Sequence, residues 1–252
     1  MIAKCRNTGQ IGAITASKFL SAGAFMILGE PPYGVCISQG FLNPLLRHNI
    51  LSDLKNCINI KESLKSRLAA DSYPVLRQVL AMNWEGQTAV HSGLGCADIV
   101  HDFSEYGLVA AGNMLASQNV INQMIGAFHA TQGSLAHKLL TALKQGHLEG
   151  VDKRGARSSA LVVFDSVPYA VVDLRVDDSD TPIEEIERLS FIYFKDYETV
   201  NRRLPTIKNP SGNLGHYPIA SLRNLASQLE ARGETIPAHW KILFDATENR
   251  EE

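Results

Sequence analysis

The chain has 252 residues, of which 45% are hydrophobic and 20% are charged, so it can form one large globular domain with a substantial core. The formal net charge is -2 and no five like charges follow one another, which argues against a nucleic-acid-binding surface. Four scattered cysteines without a Cys-x-x-Cys pair fit a reducing cytosol, and the apolar stretch Phe19–Leu28 is far shorter than the ~20 residues of a membrane span. We therefore expect a cytoplasmic protein that binds neither nucleic acid nor a membrane.

The first forty residues predict two pairs of strands. Met1–Cys5 and Ile11–Ser17 flank the turn Asn7-Thr8-Gly9-Gln10, in which the glycine can adopt a positive φ. The small and β-branched residues of the second strand are typical of a strand that is covered on both faces. A second pair, Ala24–Leu28 and Gly34–Ser38, is joined through a proline-rich turn.

Helical and strand patterns alternate through the middle of the chain. Asn43 is a suitable N-cap for a helix that ends near Asn56, because Pro44 follows it at the first helical position. The remaining predicted elements of this region are a helix over Lys61–Ala70, a hairpin of Val75–Trp84 and Gln87–His91, a strand over Val109–Gly112, and helices over Gln118–Ala130 and Gly133–Gln145.

The last elements of the main domain are two β-like runs, Ser159–Phe164 and Tyr169–Val176, and a helix that opens at Thr181. Helices segregated from antiparallel strands favour an α+β fold, a four-layer αββα sandwich, over a wound βαβ fold. We predict that residues 1–204 form this domain and that residues 205–252 form a short helical C-terminal extension, with a helix over Ser221–Arg232. The extension is too small for its own core, so we expect it to pack on the main domain or on a neighbouring subunit of a homo-oligomer.

Several sequence segments, in order, resemble a known family. They are Thr8-Gly9-Gln10-Ile11-Gly12, Ala16-Ser17-Lys18-Phe19, Gln39-Gly40-Phe41 with Asn43-Pro44, Ala111-Gly112-Asn113-Met114-Leu115, Asp152-Lys153-Arg154-Gly155 with Ser158-Ser159-Ala160, and Val172-Asp173-Leu174-Arg175-Val176-Asp177-Asp178. Over roughly residues 1 to 190 the chain is similar to the bacterial and archaeal family catalogued as domain of unknown function 1028, an Ntn-hydrolase-like family.

The resemblance implies two antiparallel sheets between helical layers and the hydrolysis of amide bonds. In Ntn hydrolases the side chain of the first mature residue is the nucleophile, and its α-amino group or a nearby water is the general base. Aligned on Thr8-Gly9, this chain begins about three residues late, so that Met1 stands where the family has an interior strand residue. Excision of the initiator methionine requires a small second residue, and Ile2 is large, so we expect Met1 to remain. Either the true start lies upstream, or the protein lacks the usual nucleophile.

Three residues are candidates for catalysis. Ser17 and Lys18 end the second strand, where related folds place polar residues near the nucleophile, and a lysine there could lower the pKa of a neighbouring hydroxyl or amine. The alternative is a solvent-facing lysine at a strand end. Asn113 follows a glycine at a strand-to-helix junction and could contribute to an oxyanion site, or could be an ordinary turn residue.

Four residues are candidates for binding the substrate. Ser38, Gln39 and Asn43 line the segment after the third strand. Their polar groups could bind a carbonyl or carboxylate there, although Asn43 is at least as suited to capping a helix. Arg175 lies on an apolar strand between acidic residues, where it either orients a substrate or forms an ion pair with Asp173.

A third group, His91, Cys96 and His101, recurs at five-residue steps and could bind zinc or provide a cysteine nucleophile. No fourth ligand is evident, so no metal or other cofactor is predicted. The leading hypothesis is an Ntn-type amide hydrolase that acts on a small molecule or peptide. The alternative is a non-catalytic ligand-binding or assembly module that keeps the fold without the N-terminal nucleophile.

Overall fold

A computed structural model describes residues 1–96, 98–213 and 217–248. The chain divides into two compact units, Met1–Asp196 and Tyr197–Glu252. The elements of the first unit are, in chain order, β1 (Ile2–Lys4), β2 (Ile11–Ser17), α1 (Ala22–Met26), β3 (Ile27–Glu30), β4 (Gly34–Gly40), α2 (Pro44–Lys55), α3 (Ile60–Ala69), β5 (Arg77–Asn83), β6 (Thr88–Ser92), β7 (Ile99–Glu105), β8 (Leu108–Leu115), α4 (Asn119–Ala130), α5 (Leu135–Leu148), β9 (Ser158–Phe164), β10 (Ala170–Val176) and α6 (Pro182–Ile192).

The strands form two antiparallel sheets. The larger sheet has the order β10-β9-β2-β1-β8-β7, and the smaller has the order β3-β4-β5-β6. β2 lies near the centre of the larger sheet and pairs with β9 over its whole length, from Ile11 opposite Phe164 to Ser17 opposite Ser158. This position explains its small, buried residues, since helix α5 approaches so closely that a Cβ atom at Gly12 would lie 2.5 Å from Leu139.

Three apolar clusters hold the layers together. Helices α4, α5 and α6 cover the outer face of the larger sheet, and α2 and α3 cover the outer face of the smaller sheet. The third cluster lies between the sheets, where Ile2 and Val162 of the larger sheet contact the layer of Ile37 and Leu80 from the smaller sheet. The predicted α+β fold with two antiparallel sheets is confirmed, and the layer order is helices, sheet, sheet, helices.

Two predicted details of this unit were wrong. Ala22–Met26 is a short helix rather than the start of a strand, and only Ile27–Glu30 is extended. Its Gly23 allows close contact, because a Cβ atom there would lie 2.3 Å from the Cβ of Ala160. Strand β7 was missed, since its polar, half-buried residues lack a clear alternation.

The second unit is helical. It contains α7 (Glu198–Asn201), α8 (Tyr217–Ala231) and α9 (Ala238–Glu248). Arg223 of α8 places its guanidinium 5.2 Å from the ring centre of Phe244 in α9, a cation–π contact within the unit. Over the described ranges of the chain, no helix is both long enough and apolar enough for a membrane crossing.

Candidate functional site

The larger sheet contains a gap beside its short strand β1. Met1 exchanges two backbone hydrogen bonds of 3.0 Å with Ile14 of β2, and it is the first residue of the strand ladder. β2 continues through Thr15–Ser17 and β8 continues through Ala111–Asn113, with no described strand between them.

A cavity of about 300 Å³ occupies this gap. Its walls include Ala16 on one side of the gap and Gly112 on the other. On the helical side of the sheet it reaches Ile121 and Met124 of α4, and on the side of the smaller sheet it reaches Gln39. The volume lies at the lower end of the range for small-molecule sites.

A carboxamide network joins the two sheets at the cavity. Gln39 of β4 and Asn113 of β8 donate to the same acceptor, Oε1 of Gln78 in β5, at 2.7 and 2.8 Å. Gln39 also donates to the carbonyl of Ala111 at 3.2 Å, and the Gln78 amide donates to Ser92 and to the Gly112 carbonyl. These bonds use the amide nitrogens, so the Gln39 and Asn113 oxygens are available as acceptors at the cavity wall.

Asn113 is held at an irregularity of β8. The register shifts between Ile99 and His101 of the partner strand, so the Asn113 region bulges relative to β7. Met114 has φ 55°, a left-handed conformation that is uncommon outside glycine. Its carbonyl accepts the backbone N–H of Lys153, which anchors the loop before β9 against this bulge. Bulges of this kind redirect a side chain, here the Asn113 carboxamide, toward the cavity.

Asp152 and Arg154 line one end of the cavity as an ion pair. The Asp152 side chain is only 6% exposed, and it accepts hydrogen bonds from the Arg154 guanidinium at 2.7 and 2.9 Å. It also accepts the backbone N–H of Lys18 at 3.2 Å. The carboxylate raises the pKa of Arg154, which therefore stays charged, and the guanidinium lies 5.9 Å from the ring centre of Phe19.

Ser17 provides a hydroxyl at the same end. The residue is 5% exposed, and its Oγ accepts the backbone N–H of Phe19 at 3.2 Å. Thr15, two residues earlier on the same face of β2, contacts the sulfur of Met26 at 3.7 Å. Ser17 and Thr15 both line the cavity, as do Asn113 and Asp152.

The α-amino group of Met1 is buried at the closed end of the gap. It donates to the Ile14 carbonyl at 3.0 Å, and desolvation lowers its pKa from 8.0 to about 5. At neutral pH this amine is therefore uncharged. Ser17 lies three residues after Ile14 on β2, so the amine lies roughly 10 Å from the Ser17 position along the strand.

The structure brings Ser17, Gln39 and Asn113 together and places the other predicted site residues elsewhere. Lys18 is exposed and is not part of the cavity wall. Arg175 pairs with Asp173 on β10, at the edge of the larger sheet.

Ser38 and Asn43 both serve the start of helix α2. The Ser38 hydroxyl donates to the Asn43 carbonyl at 3.0 Å. The Asn43 carboxamide accepts the N–H of Leu45 at 3.1 Å and donates to Asp71 at 2.7 Å, so it caps the helix. Their role in substrate binding stays a prediction, as does that of Lys18 and Arg175.

Cys96 lies in the cavity wall, but its two predicted partners do not join it there. His91 places Nε2 2.9 Å from the carbonyl of Pro74, and His101 is paired with Gly112 across β7 and β8. Burial raises the pKa of the Cys96 thiol, which disfavours the nucleophilic thiolate. In the part of the chain that the structure describes, no three His, Cys, Asp or Glu side chains are grouped for a metal ion.

Sequence reasoning missed three residues of the site. Asp152 and Arg154 lie in a glycine-flanked loop, which by sequence alone is typical of a solvated turn, although their segment is one of those that carry the family resemblance. Gln78 gave no signal, because a single glutamine in a strand is not distinctive. Its position between Gln39 and Asn113 depends on the packing of the two sheets.

Comparison with known proteins identifies the family. The model of a family of unknown function, DUF1028, matches residues 1–186. The chain is also similar to the crystal structure of protein SPO2555 from Silicibacter pomeroyi, with 27% sequence identity, a TM-score of 0.78, and coverage of 85% of this chain and 97% of that one. No curated protein is similar enough to count as a match. With its six-segment resemblance and a family match over most of its length, this chain belongs to the DUF1028 family.

Proposed function

We propose that the protein binds a small molecule or a short peptide in the cavity between β2 and β8. The observation that carries this proposal is a cavity of about 300 Å³ that is lined by both carboxamide and apolar groups. Such a mixture of an apolar surface with a few fixed polar groups is typical of ligand sites. The available amide oxygens of Gln39 and Asn113 favour a ligand that carries N–H donors.

Amide-bond hydrolysis is a second candidate function, and the Ntn-hydrolase resemblance supports it. The neutral amine of Met1 has a lone pair that can accept a proton, and the second N–H of the Asn113 amide, beside the one that bonds to Gln78, is a donor for an oxyanion. Met1 itself has no side-chain hydroxyl or thiol, and Ser17 is too far from the amine for direct proton transfer. Hydrolysis in this chain would therefore need a water that attacks the carbonyl carbon while the C–N bond breaks and the amine leaves with a proton.

Binding can be tested by thermal denaturation with amino acids, N-acyl amino acids and short peptides as probes. A ligand at 100 times its Kd should raise Tm by roughly 5–10 °C, because it stabilises the folded state by about 2.7 kcal/mol. We expect Ala16→Leu, which adds side-chain volume at the cavity wall, to abolish the shift. The control Arg188→Gln, in an exposed ion pair on α6 outside the cavity, should keep it. An equal shift in both variants would contradict the proposal.

Hydrolysis can be tested with the same probes by mass spectrometry of the products. If Met1 acts as the base, the rate should rise with pH through about 5 and then level, since the amine must be neutral. Asn113→Ala should lower kcat by about 10²-fold or more if it stabilises the oxyanion. An intact-mass measurement of the native protein shows which residue carries the free amine. If the probes bind but are not cleaved, the result supports ligand binding and contradicts hydrolysis.

The remaining sequence predictions concern the protein's surroundings, and they stay predictions. They are the cytoplasmic location, the homo-oligomeric state, and the lack of nucleic-acid or membrane partners. Size-exclusion chromatography with light scattering would decide the oligomeric state.

A further inference from the structure

A second cavity, of about 400 Å³, lies at the end of β1 and is lined by different residues from the cavity between β2 and β8. It is bounded by the end of β1, by the turn between β7 and β8, and by the residues between α4 and α5. Its volume lies within the range of small-molecule sites. The residues of its wall that carry charge, a thiol or an aromatic ring include Cys5, Arg6, Glu105, Phe128, His129 and Lys138.

Cys5 is held in the wall of this cavity by the turn that follows β1. Its N–H donates to the carbonyl of Gln10 at 2.8 Å, and its carbonyl accepts the N–H of Gly9 at 2.9 Å. The glycine closes the turn with φ 77°, a conformation that suits a residue without a Cβ atom. Cys5 packs against the apolar cluster under α4 and α5 but is only half-buried. Its sulfur is therefore positioned firmly and can be reached from the cavity.

The groups around the sulfur of Cys5 favour its thiolate form. Burial on its own raises the pKa of the thiol. Hydrogen bonds from the hydroxyl and backbone N–H of Thr8 and from the backbone N–H of Asn7, together with the charge of Lys138, outweigh this effect and lower the pKa. A lowered pKa increases the fraction of thiolate, which is the form that attacks a disulfide.

The charged side chains of the wall favour an anionic ligand. Glu105 is already paired with His129, whose Nε2 lies 3.1 Å from the carboxylate. Within the part of the chain that the structure describes, no carboxylate pairs with Arg6 or Lys138. The ammonium of Lys138 lies 4.5 Å from the ring centre of Phe128, which gives the cavity an apolar surface beside its cations. A small ligand with carboxylate groups can neutralise both cations and contact this ring.

We propose that this cavity binds small disulfides that carry carboxylates and directs them to Cys5, which is modified by thiol–disulfide exchange. The Cys5 thiolate attacks one sulfur of the bound disulfide, so that a new S–S bond forms while the S–S bond of the ligand breaks. The other half of the ligand leaves as a thiolate and takes up a proton that replaces the one lost by Cys5. Cys5 is oxidised and the leaving half is reduced, so the exchange needs no further oxidant. This activity is separate from the ligand binding proposed above, because it uses a different cavity.

The first test compares two disulfides of opposite charge on the wild-type protein. Oxidised glutathione is anionic and cystamine is cationic, and each is mixed with the protein at neutral pH. Acid quenching and peptide mapping by mass spectrometry give the rates of mixed-disulfide formation at Cys5 and at Cys57, an exposed cysteine outside the cavity. The ratio of the rate with oxidised glutathione to that with cystamine should be about tenfold higher at Cys5, because its cations attract the anionic reagent.

Salt provides a check on the cause of this preference. Sodium chloride at about 0.5 M should remove most of it, because the salt screens the attraction between the cavity and the reagent. Equal ratios at Cys5 and Cys57 at low salt, or a Cys5 that neither disulfide modifies, would overturn the proposal.

Variants test the role of the two cations. Lys138→Gln should slow the modification of Cys5 by oxidised glutathione about fivefold, and adding Arg6→Gln should slow it further. Lys144→Gln is the matched control, because Lys144 lies on the same helix but pairs with Glu187 at an exposed position. We expect the control to react like the wild type. An unchanged rate in the double variant, or the same loss in the control, would refute the proposal.

Discussion

The buried and exposed cysteines should differ in reactivity, and this difference tests the cysteine alternative. Burial raises the pKa of Cys36 to about 12 and also raises that of Cys96, whereas Cys57 is exposed. We expect iodoacetamide at pH 7.5 to modify Cys57 far faster than Cys36 or Cys96, as followed by peptide mapping. Fast labelling of Cys96 would instead show an activated thiol in the cavity.

Asp53 should make stability depend on acid pH. It accepts hydrogen bonds from Ser63 at 2.6 Å and Arg67 Nε at 2.8 Å, and the Arg67 bonds hold its pKa below 3.8. A carboxylate with a lowered pKa stabilises the fold at neutral pH, and this contribution is lost as the pH falls below about 4. Asp53→Asn should cost about 1–3 kcal/mol at pH 7, since it breaks these bonds.

The measurement for Asp53 is urea denaturation at pH 7 and pH 3. The difference between the wild type and Asp53→Asn should shrink at the lower pH, because protonation removes the charge of the wild-type residue. Glu185→Gln, at an exposed pair with Arg188, is a matched control that should change stability little at either pH. A constant difference for Asp53→Asn would show that its charge is not what stabilises the fold.

Individual site residues could be predicted only where a polar residue lies at the end of an otherwise apolar strand. Asn113 follows a glycine at the end of a strand, and Gln39 ends another, so both were recognised as candidates. Asp152 was not, because only the folded chain shows that its carboxylate is buried against Arg154 and the Lys18 backbone.

Among the elements, helix α2 provides a direct test of the Asn43 interpretation. Asn43→Ala should lower the free energy of unfolding by about 1 kcal/mol. The backbone N–H of Leu45 loses its capping acceptor, and the carboxylate of Asp71 loses a hydrogen-bond donor. Asn43→Ser keeps a capping oxygen and should cost less. Denaturant titration measures both, and ligand affinity should not change. A loss of ligand binding at unchanged stability would support the predicted substrate-binding role.

Elements with their own local signals were predicted well. The bounds of β2 agree with the prediction Ile11–Ser17, and α2 begins at Pro44 after its predicted cap. Helix α1 was misread because its five residues are too few to show a helical period. Strand β7 was missed because half-buried polar residues such as Asp102 and Ser104 resemble a loop.

At the scale of the whole molecule, we expect residues 1–196 to fold without the second unit. All three apolar clusters and the whole cavity wall lie within these residues. A chain that ends at Asp196 should unfold cooperatively in urea and bind the same ligands with unchanged affinity. Non-cooperative unfolding, or loss of binding, would show that the second unit completes the first.

The order of elements predicted the layers, because strands and helices that alternate in blocks have few ways to bury their apolar faces. The cavity was beyond such reasoning. It depends on how far β2 and β8 extend past Met1, and these strands are about a hundred residues apart in the sequence. Only their register, fixed by tertiary packing, shows that the two strands leave a space.

The three-residue β1 also has a consequence for motion. It is the shortest strand of the larger sheet and lies at its interior, so it joins β10-β9-β2 to β8-β7 at one end only. The amides of Ala16 and Ala111 should therefore exchange with deuterium much faster than their central location suggests, while those of Ile14 and Val109 stay protected. A ligand bound between these strands should protect both amides, so slower exchange at the two alanines would indicate that the ligand is bound.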